Sequence, residues 1–95
     1  MKTYRRRPGV ELLEVCGEYL LAAGGEARGK CAYVTQINAS AASFWRVLEG
    51  RKSVTELARL AAEEQGTGEK ELLLPCIVFV SKMGASGHLI EEELS

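Results

Sequence analysis

The chain has 95 residues, enough for one small domain with a single modest core. Its 12 basic residues nearly balance 13 acidic ones, whereas general nucleic-acid binders usually carry a strong basic excess. Every acidic residue is Glu and there is a single His, which excludes Asp-dependent catalytic triads and paired-imidazole zinc sites. The composition therefore predicts a single domain over residues 1–95 that is not an enzyme and holds no metal or cofactor.

Both ends of the chain are charged. Arg5–Arg7 predict a solvated basic arm over residues 1–9, and the Glu-rich end predicts a solvated acidic tail over residues 91–95. We expect the one His, His88, at the surface and the cysteines as buried free thiols, because no C-x-x-C motif is present. No apolar run reaches about 18 residues and no signal peptide opens the chain, which predicts a cytoplasmic protein without a membrane span.

Strands are predicted before any helix. Residues 10–15 are apolar with two interrupting charged residues, and residues 19–23 are apolar, so each segment is typical of a strand. The short turn between the two segments predicts a hairpin. Residues 24–30 are rich in glycine and predict a loop. Residues 32–37 combine β-branched and aromatic side chains with polar ones, which predicts a third strand.

Helical spacing begins after the third strand. Asn38 is a good N-cap for a first helix, and the capping box of residues 53–56 predicts the start of a second. Residues 72–80 carry no charge, and Pro75 disfavours both a central strand and a helix interior. We expect a third helix through residues 84–86 that is kinked or restarted near Pro75. The predicted order is β-β-β-α-α-α.

The third helix is predicted to be apolar on two sides, at about 100° per residue. One face consists of Leu72, Cys76, Phe79, Val80 and Met83. The opposite stripe consists of Leu74, Ile77, Val78, Ser81 and Ala85. A helix that is apolar all round is either enclosed or covered by something else, so either strands cover this stripe or it forms a groove for an apolar peptide. A peptide could also add as a strand at an exposed sheet edge.

Residues 37–50, INASAASFWRVLEG, resemble the first-helix signature of the coenzyme PQQ synthesis protein D family (PqqD-like). That family is also called the peptide-recognition element of ribosomal peptide modification pathways. The second helix, SVTELARLAAEE, is similar as well, and the third fits the family's aliphatic and aromatic positions in register. The resemblance spans roughly residues 4–92. Pro75 departs from it, because the family often has an acidic residue there, and any peptide contact made by that acid would be missing here.

The resemblance implies a small winged-helix-like α+β domain, with a three-stranded antiparallel sheet packed on three helices. It also implies a non-catalytic adaptor that binds the leader of a ribosomally synthesised precursor peptide and presents it to a modifying enzyme, often a radical S-adenosylmethionine enzyme. The leader would pair with the third strand and contact the third helix. The expected peptide-binding residues are Cys31, Ala32, Tyr33, Val34, Thr35, Leu74, Ile77, Val78 and Ser81. Pro75 or Lys82 would replace an end member of this set if the helical phase shifts by one residue.

Two other functions stay open on the sequence. A winged-helix nucleic-acid binder would use Arg5–Arg7 and the second helix, although Glu56, Glu63 and Glu64 on that helix would repel phosphate. A structural subunit of an enzyme complex would need no free peptide. An unoccupied strand edge also leaves dimerisation open.

Overall fold

The strands form two separate antiparallel sheets in the computed structural model, which describes residues 1–93. In the smaller sheet, β1 (Lys2–Arg6) pairs with β5 (Leu89–Glu93). The larger sheet contains β2 (Val10–Val15), β3 (Glu18–Ala23) and β4 (Val34–Ile37) in that order. The three-stranded antiparallel sheet is therefore as predicted, and the two-stranded sheet is an addition.

The three helices follow β4 in the chain, as α1 (Ala39–Val47), α2 (Val54–Gln65) and α3 (Glu69–Ala85). The Asn38 side chain caps α1 by accepting a hydrogen bond from the Ala41 N–H at 2.8 Å. The capping box predicted for α2 is also present, and the left-handed glycine that follows ends the helix. The prediction of an α+β domain with three helices is confirmed.

One core joins the helices to the inner face of the larger sheet. The large side chains that are fully buried in it are Phe44, Leu21, Leu48, Leu57, His88 and Cys76. The predicted inner face of α3 is buried along its whole length, with no side chain more than 8% exposed. The periodicity of the apolar residues therefore predicted correctly which side of α3 faces the core.

The N-terminal segment is a strand, so the prediction of a solvated basic arm was wrong. Thr3 and Tyr4 are 3% and 8% exposed in β1. Tyr4 also exchanges backbone hydrogen bonds with Lys52, at 2.8 and 3.0 Å. Tyr4 buries a large aromatic side chain under the helices, and that burial outweighs the tendency of its charged neighbours to stay in water.

The acidic end of the chain is paired rather than fully solvated. Residues 91–93 belong to β5, and Arg5 Nε lies 2.6 Å from a carboxylate oxygen of Glu92. Residues 94 and 95 of the predicted tail lie outside the described residues. The basic and acidic ends thus face each other across one strand pair, where opposite charges stabilise the pairing.

α3 continues through Pro75 as one helix, so the predicted restart there does not occur. Proline has no N–H, and its ring crowds the carbonyl group four residues earlier, which belongs to Glu71. Pro75 is exposed and therefore adds little to the core. The helix persists because its inner face is buried on both sides of this position.

Pro75→Ala is expected to raise the free energy of unfolding by about 2 kcal/mol, because proline in a helix interior costs about 3 kcal/mol relative to alanine. Urea unfolding followed by circular dichroism measures the change. Leu74→Ala is a matched control, since Leu74 is 70% exposed on the same turn; we expect it to change stability by less than about 0.5 kcal/mol. A Pro75→Ala variant that is no more stable than wild type contradicts this reading of α3.

His88 is 1% exposed, so the prediction of a surface position was wrong. Its Nδ1 lies 2.6 Å from the Ser86 hydroxyl oxygen, and its Nε2 has no hydrogen-bond partner among residues 1–93. Burial, with a smaller effect of the positive charge on Arg7, lowers the pKa of His88 from its ordinary value of 6.5. The folded protein therefore disfavours the protonated imidazole.

Stability is expected to fall as the pH drops from about 7 to about 5, because the unfolded state then binds a proton that buried His88 resists. The pKa values of Glu56 and Glu92 are also lowered, by hydrogen bonds to Ser53 and Arg5, but the stability that these carboxylates contribute is lost mainly as the pH falls below about 5. Between about pH 7 and pH 5, the change in stability is therefore expected to come mainly from His88. Chemical unfolding at a series of pH values should give a flatter profile for His88→Gln. Equal slopes for the two proteins would refute the assignment.

Candidate functional site

The outer edge of β4 is open among the described residues, since this strand pairs only with β3. Ala23 donates its backbone N–H to the Tyr33 carbonyl oxygen at 2.8 Å, so Ala23 and Tyr33 form a hydrogen-bonded pair between β3 and β4. Hydrogen-bonded positions alternate along an antiparallel pair, so Thr35 bonds to β3. Val34 and Gln36 therefore direct their backbone N–H and C=O groups to the open side.

The other edge of the larger sheet is less suited to strand addition. β2 carries Glu11 and Glu14 and follows Pro8, and charged residues and proline are the usual protection of an exposed edge. β4 has the sequence Val-Thr-Gln-Ile, which is uncharged. An incoming backbone therefore meets fewer obstacles at β4 than at β2.

The segments on either side of β4 lie next to α3. The loop before β4 packs against the end of α3, where a Cβ built on Gly87 would clash with the Lys30 carbonyl oxygen. Gly87 also has a φ of 88°, so glycine is required there for two independent reasons. After β4, the first turn of α1 faces the middle of α3 across a cavity. The loop before β4 and the helix after it therefore both border α3.

An open, mainly apolar cavity of about 380 Å³ separates α1 from α3, and we call it the α1–α3 groove. Its lining residues are Asn38, Ser40, Ala41, Phe44, Leu74, Pro75, Val78, Phe79, Lys82 and Met83. Phe44 and Phe79 are buried at its floor, with ring centroids 5.4 Å apart. Leu74 and Val78 remain 70% and 43% exposed beside it. Large apolar side chains exposed around a concave surface are typical of a binding site.

The predicted residues on α3 lie partly in the groove. Leu74 and Val78 line it, whereas Ile77 and Ser81 are exposed on α3 but outside the lining. The α3 positions that line the groove in addition are Pro75, Phe79, Lys82 and Met83. The groove therefore lies between the predicted stripe and the buried face, because α1 covers only part of that face. Lys82 replaces the end member Ser81, which is the shift in helical phase that the sequence left open, whereas Pro75 lines the groove in addition to Leu74.

The predicted residues on the strand also divide into two groups. β4 begins at Val34, so Val34 and Thr35 belong to it. The predicted positions before the strand are Cys31, Ala32 and Tyr33. Cys31 forms an isolated bridge with Arg28, and a bend follows before β4 begins. The Tyr33 carbonyl oxygen already accepts a hydrogen bond from Ala23, whereas Lys30, just before Cys31, lies against Gly87 beyond α3. Sequence alone gave no signal of that contact with Gly87.

The side chains that line the groove are apolar apart from the amide of Asn38, the hydroxyl of Ser40 and the ammonium group of Lys82. Residues 1–93 contain no cluster of His, Cys, Asp or Glu that could hold a metal ion. Burial raises the pKa of the Cys76 thiol to about 12, so this thiol is neutral at ordinary pH and lies 3.6 Å from the Val54 carbonyl oxygen. Within the same part of the chain, no helix has the length and hydropathy needed to cross a bilayer. The groove thus offers apolar contact surface with a few polar groups at its margin.

Comparison with known proteins leaves the family open. The resemblance of residues 37–50 to the PqqD-like family is carried by sequence motifs, and it stays a prediction. Its expected site coincides with the open edge of β4 and the adjacent groove only in part, as described above. No family model, curated protein or solved structure matches this chain.

Proposed function

We propose that this protein binds an extended peptide along β4 and the α1–α3 groove and presents it to a modifying enzyme, without being an enzyme itself. One observation carries the proposal: the uncharged, open strand β4 leads directly into α1, and α1 borders an apolar cavity beside which α3 exposes Leu74 and Val78. The outward backbone groups of Val34 and Gln36 would supply affinity. The cavity would supply specificity, by receiving alternate side chains of the added strand.

The resemblance narrows the proposed ligand to the leader of a ribosomally synthesised precursor peptide. It also favours a modifying enzyme of the radical S-adenosylmethionine type in the cytoplasm. Pro75 lines the groove at the position where the family often has an acid. A relative's acidic contact is therefore replaced here by an apolar ring, which favours an apolar peptide side chain at this point.

Strand addition can be tested by amide hydrogen exchange at single residues. Short peptides that bind the intact protein are first selected from a random display library. Addition at β4 should slow exchange at the Val34 and Gln36 amides, which point away from β3 and have no bond to it. The Thr35 amide, already bonded to β3, serves as the internal control and should change little. Failure to select any binder, or protection at β2 instead of β4, would refute the proposal.

The nucleic-acid alternative is disfavoured by the contacts of the N-terminal arginines. Arg5 is paired with Glu92, and Arg6 Nε donates to the Trp45 carbonyl oxygen at 2.9 Å. On α2, Arg59 lies 3.4 Å from Glu63. Guanidinium groups with internal acceptors are less available to phosphate. A purely structural subunit would bind no peptide, so the exchange experiment separates that alternative as well.

A further inference from the structure

We infer that the bound peptide carries an apolar anchor followed two residues later by an acidic side chain. This inference rests on the proposed function and specifies the ligand of the same groove. Lys82 is the charged residue among the described lining residues, and it has no ion-pair partner within residues 1–93. An exposed cation beside an apolar cavity favours a ligand that joins an apolar group to an anion.

The loop before β4 adds positive charge at the same end of the groove. Arg28 and Lys30 lie on this loop, which packs against Gly87 just beyond the end of α3. Arg28 is stacked over the Tyr33 ring at 5.4 Å, and neither cation has an ion-pair partner among the described residues. Glu26, the acid of the loop, lies on the side of β2 and lines a different hollow. Cations therefore prevail near the Lys82 end.

The opposite end of the groove carries charges of both signs. Glu71 precedes Pro75 by one helical turn, and Lys70 precedes Leu74 by one turn, so each lies beside a lining residue of α3. These two charges offset each other, whereas cations prevail near Lys82. This gradient favours the acidic side chain at the Lys82 end of the groove.

The distance between Val78 and Lys82 determines the spacing of the two peptide side chains. Val78 and Lys82 are one turn apart on α3, about 6 Å between Cβ atoms. Two residues of a β-strand span about 7 Å, and their side chains point to the same face. An apolar side chain at Val78 therefore places a residue two positions away next to Lys82.

The direction follows from the course of β4. The strand starts near the end of α3 and finishes at α1, so a peptide added antiparallel ends near Lys82. Antiparallel pairing is the more common and slightly more stable arrangement. The acid therefore follows the anchor in sequence, in the order apolar–x–acidic.

Library selection against charge variants tests the inference. Peptides selected with wild type should be enriched in Asp or Glu two residues after an apolar residue. Lys82→Glu should instead select Lys or Arg at that position, and Lys82→Gln should show a weaker preference for an acid, because Arg28 and Lys30 remain. Arg59→Glu is the control, because it makes the same charge change at an exposed position of α2. Peptides selected with it should show the same enrichment as those selected with wild type. Replacing the acid of a selected peptide by Lys should weaken binding to wild type about fivefold at low salt, and Lys82→Glu should recover most of that loss.

The outcomes separate the two proposals. Binders without charge preference, or the same preference in Lys82→Glu, would overturn the inference and leave strand addition standing. Enrichment of an acid before the anchor would also overturn it, because the predicted direction would be wrong. Absence of binders to every variant would remove the proposed function itself. Circular dichroism of each variant excludes misfolding, which is not expected at exposed Lys82.

Discussion

Val78→Glu should weaken the binding of a library-selected peptide by about a hundredfold or more while leaving the circular dichroism spectrum unchanged. Val78 lines the groove and is 43% exposed, so a carboxylate there would enter the apolar contact when the peptide binds. The carboxylate would also lie one helical turn before Lys82 and could pair with it, so the variant loses the apolar contact and occupies the cation that a peptide acid would use. Each 1.4 kcal/mol lost is about tenfold in affinity. The helix itself tolerates the change, since Glu is a good helix former at an exposed position.

Ile77→Glu is the matched control for this experiment. Ile77 is the neighbouring residue, is 47% exposed and receives the same charge change, but it does not line the groove. We expect its effect on the dissociation constant, measured by calorimetry or fluorescence anisotropy, to stay within about threefold. If both variants lose binding equally, the effect is one of overall charge. If Val78→Glu still binds, the groove is not the site.

Phe44→Ala should lower the free energy of unfolding by about 3–5 kcal/mol, because it removes a buried ring and leaves a cavity in the core. Phe44 is 0% exposed and packs against the ring of Phe79 at the groove floor. Small domains have about 5–15 kcal/mol in total, so the variant would be partly unfolded on mild heating. Urea and thermal unfolding both measure this loss.

Tyr33→Ala provides the comparison for the core substitution. Tyr33 is also aromatic but is 65% exposed, so its removal should change stability by less than about 0.5 kcal/mol. Equal effects of the two substitutions would contradict the assignment of Phe44 to the core. Loss of peptide binding in Phe44→Ala would report unfolding rather than a lost contact, which makes Val78→Glu the better probe of the groove.

The inner face of α3 could be predicted from sequence because its signal is local. Apolar residues recur at helical spacing from Leu72 to Met83, and each of those positions is buried. The groove was harder to place, because its position depends on how far α1 covers α3. A shift of one residue in helical phase is enough to replace Ser81 by Lys82 in the lining.

The pairing of β1 with β5 could not be predicted from local periodicity. Its register joins residues as distant in sequence as Lys2 and Glu93, and no repeat within either segment reports such a partner. One signal was available: a basic segment at one end of the chain and an acidic segment at the other. The Arg5–Glu92 contact shows that this complementarity has a structural basis.

The same strand pair determines how the domain can be joined to other polypeptides. The Met1 amino group lies 3.1 Å from a carboxylate oxygen of Glu93, so residues 1 and 93 lie side by side at the surface. A domain whose ends are adjacent can be inserted into a surface loop of a host protein without stretching the host. The pairing of β1 with β5 therefore gives residues 1–93 the geometry that such an insertion requires.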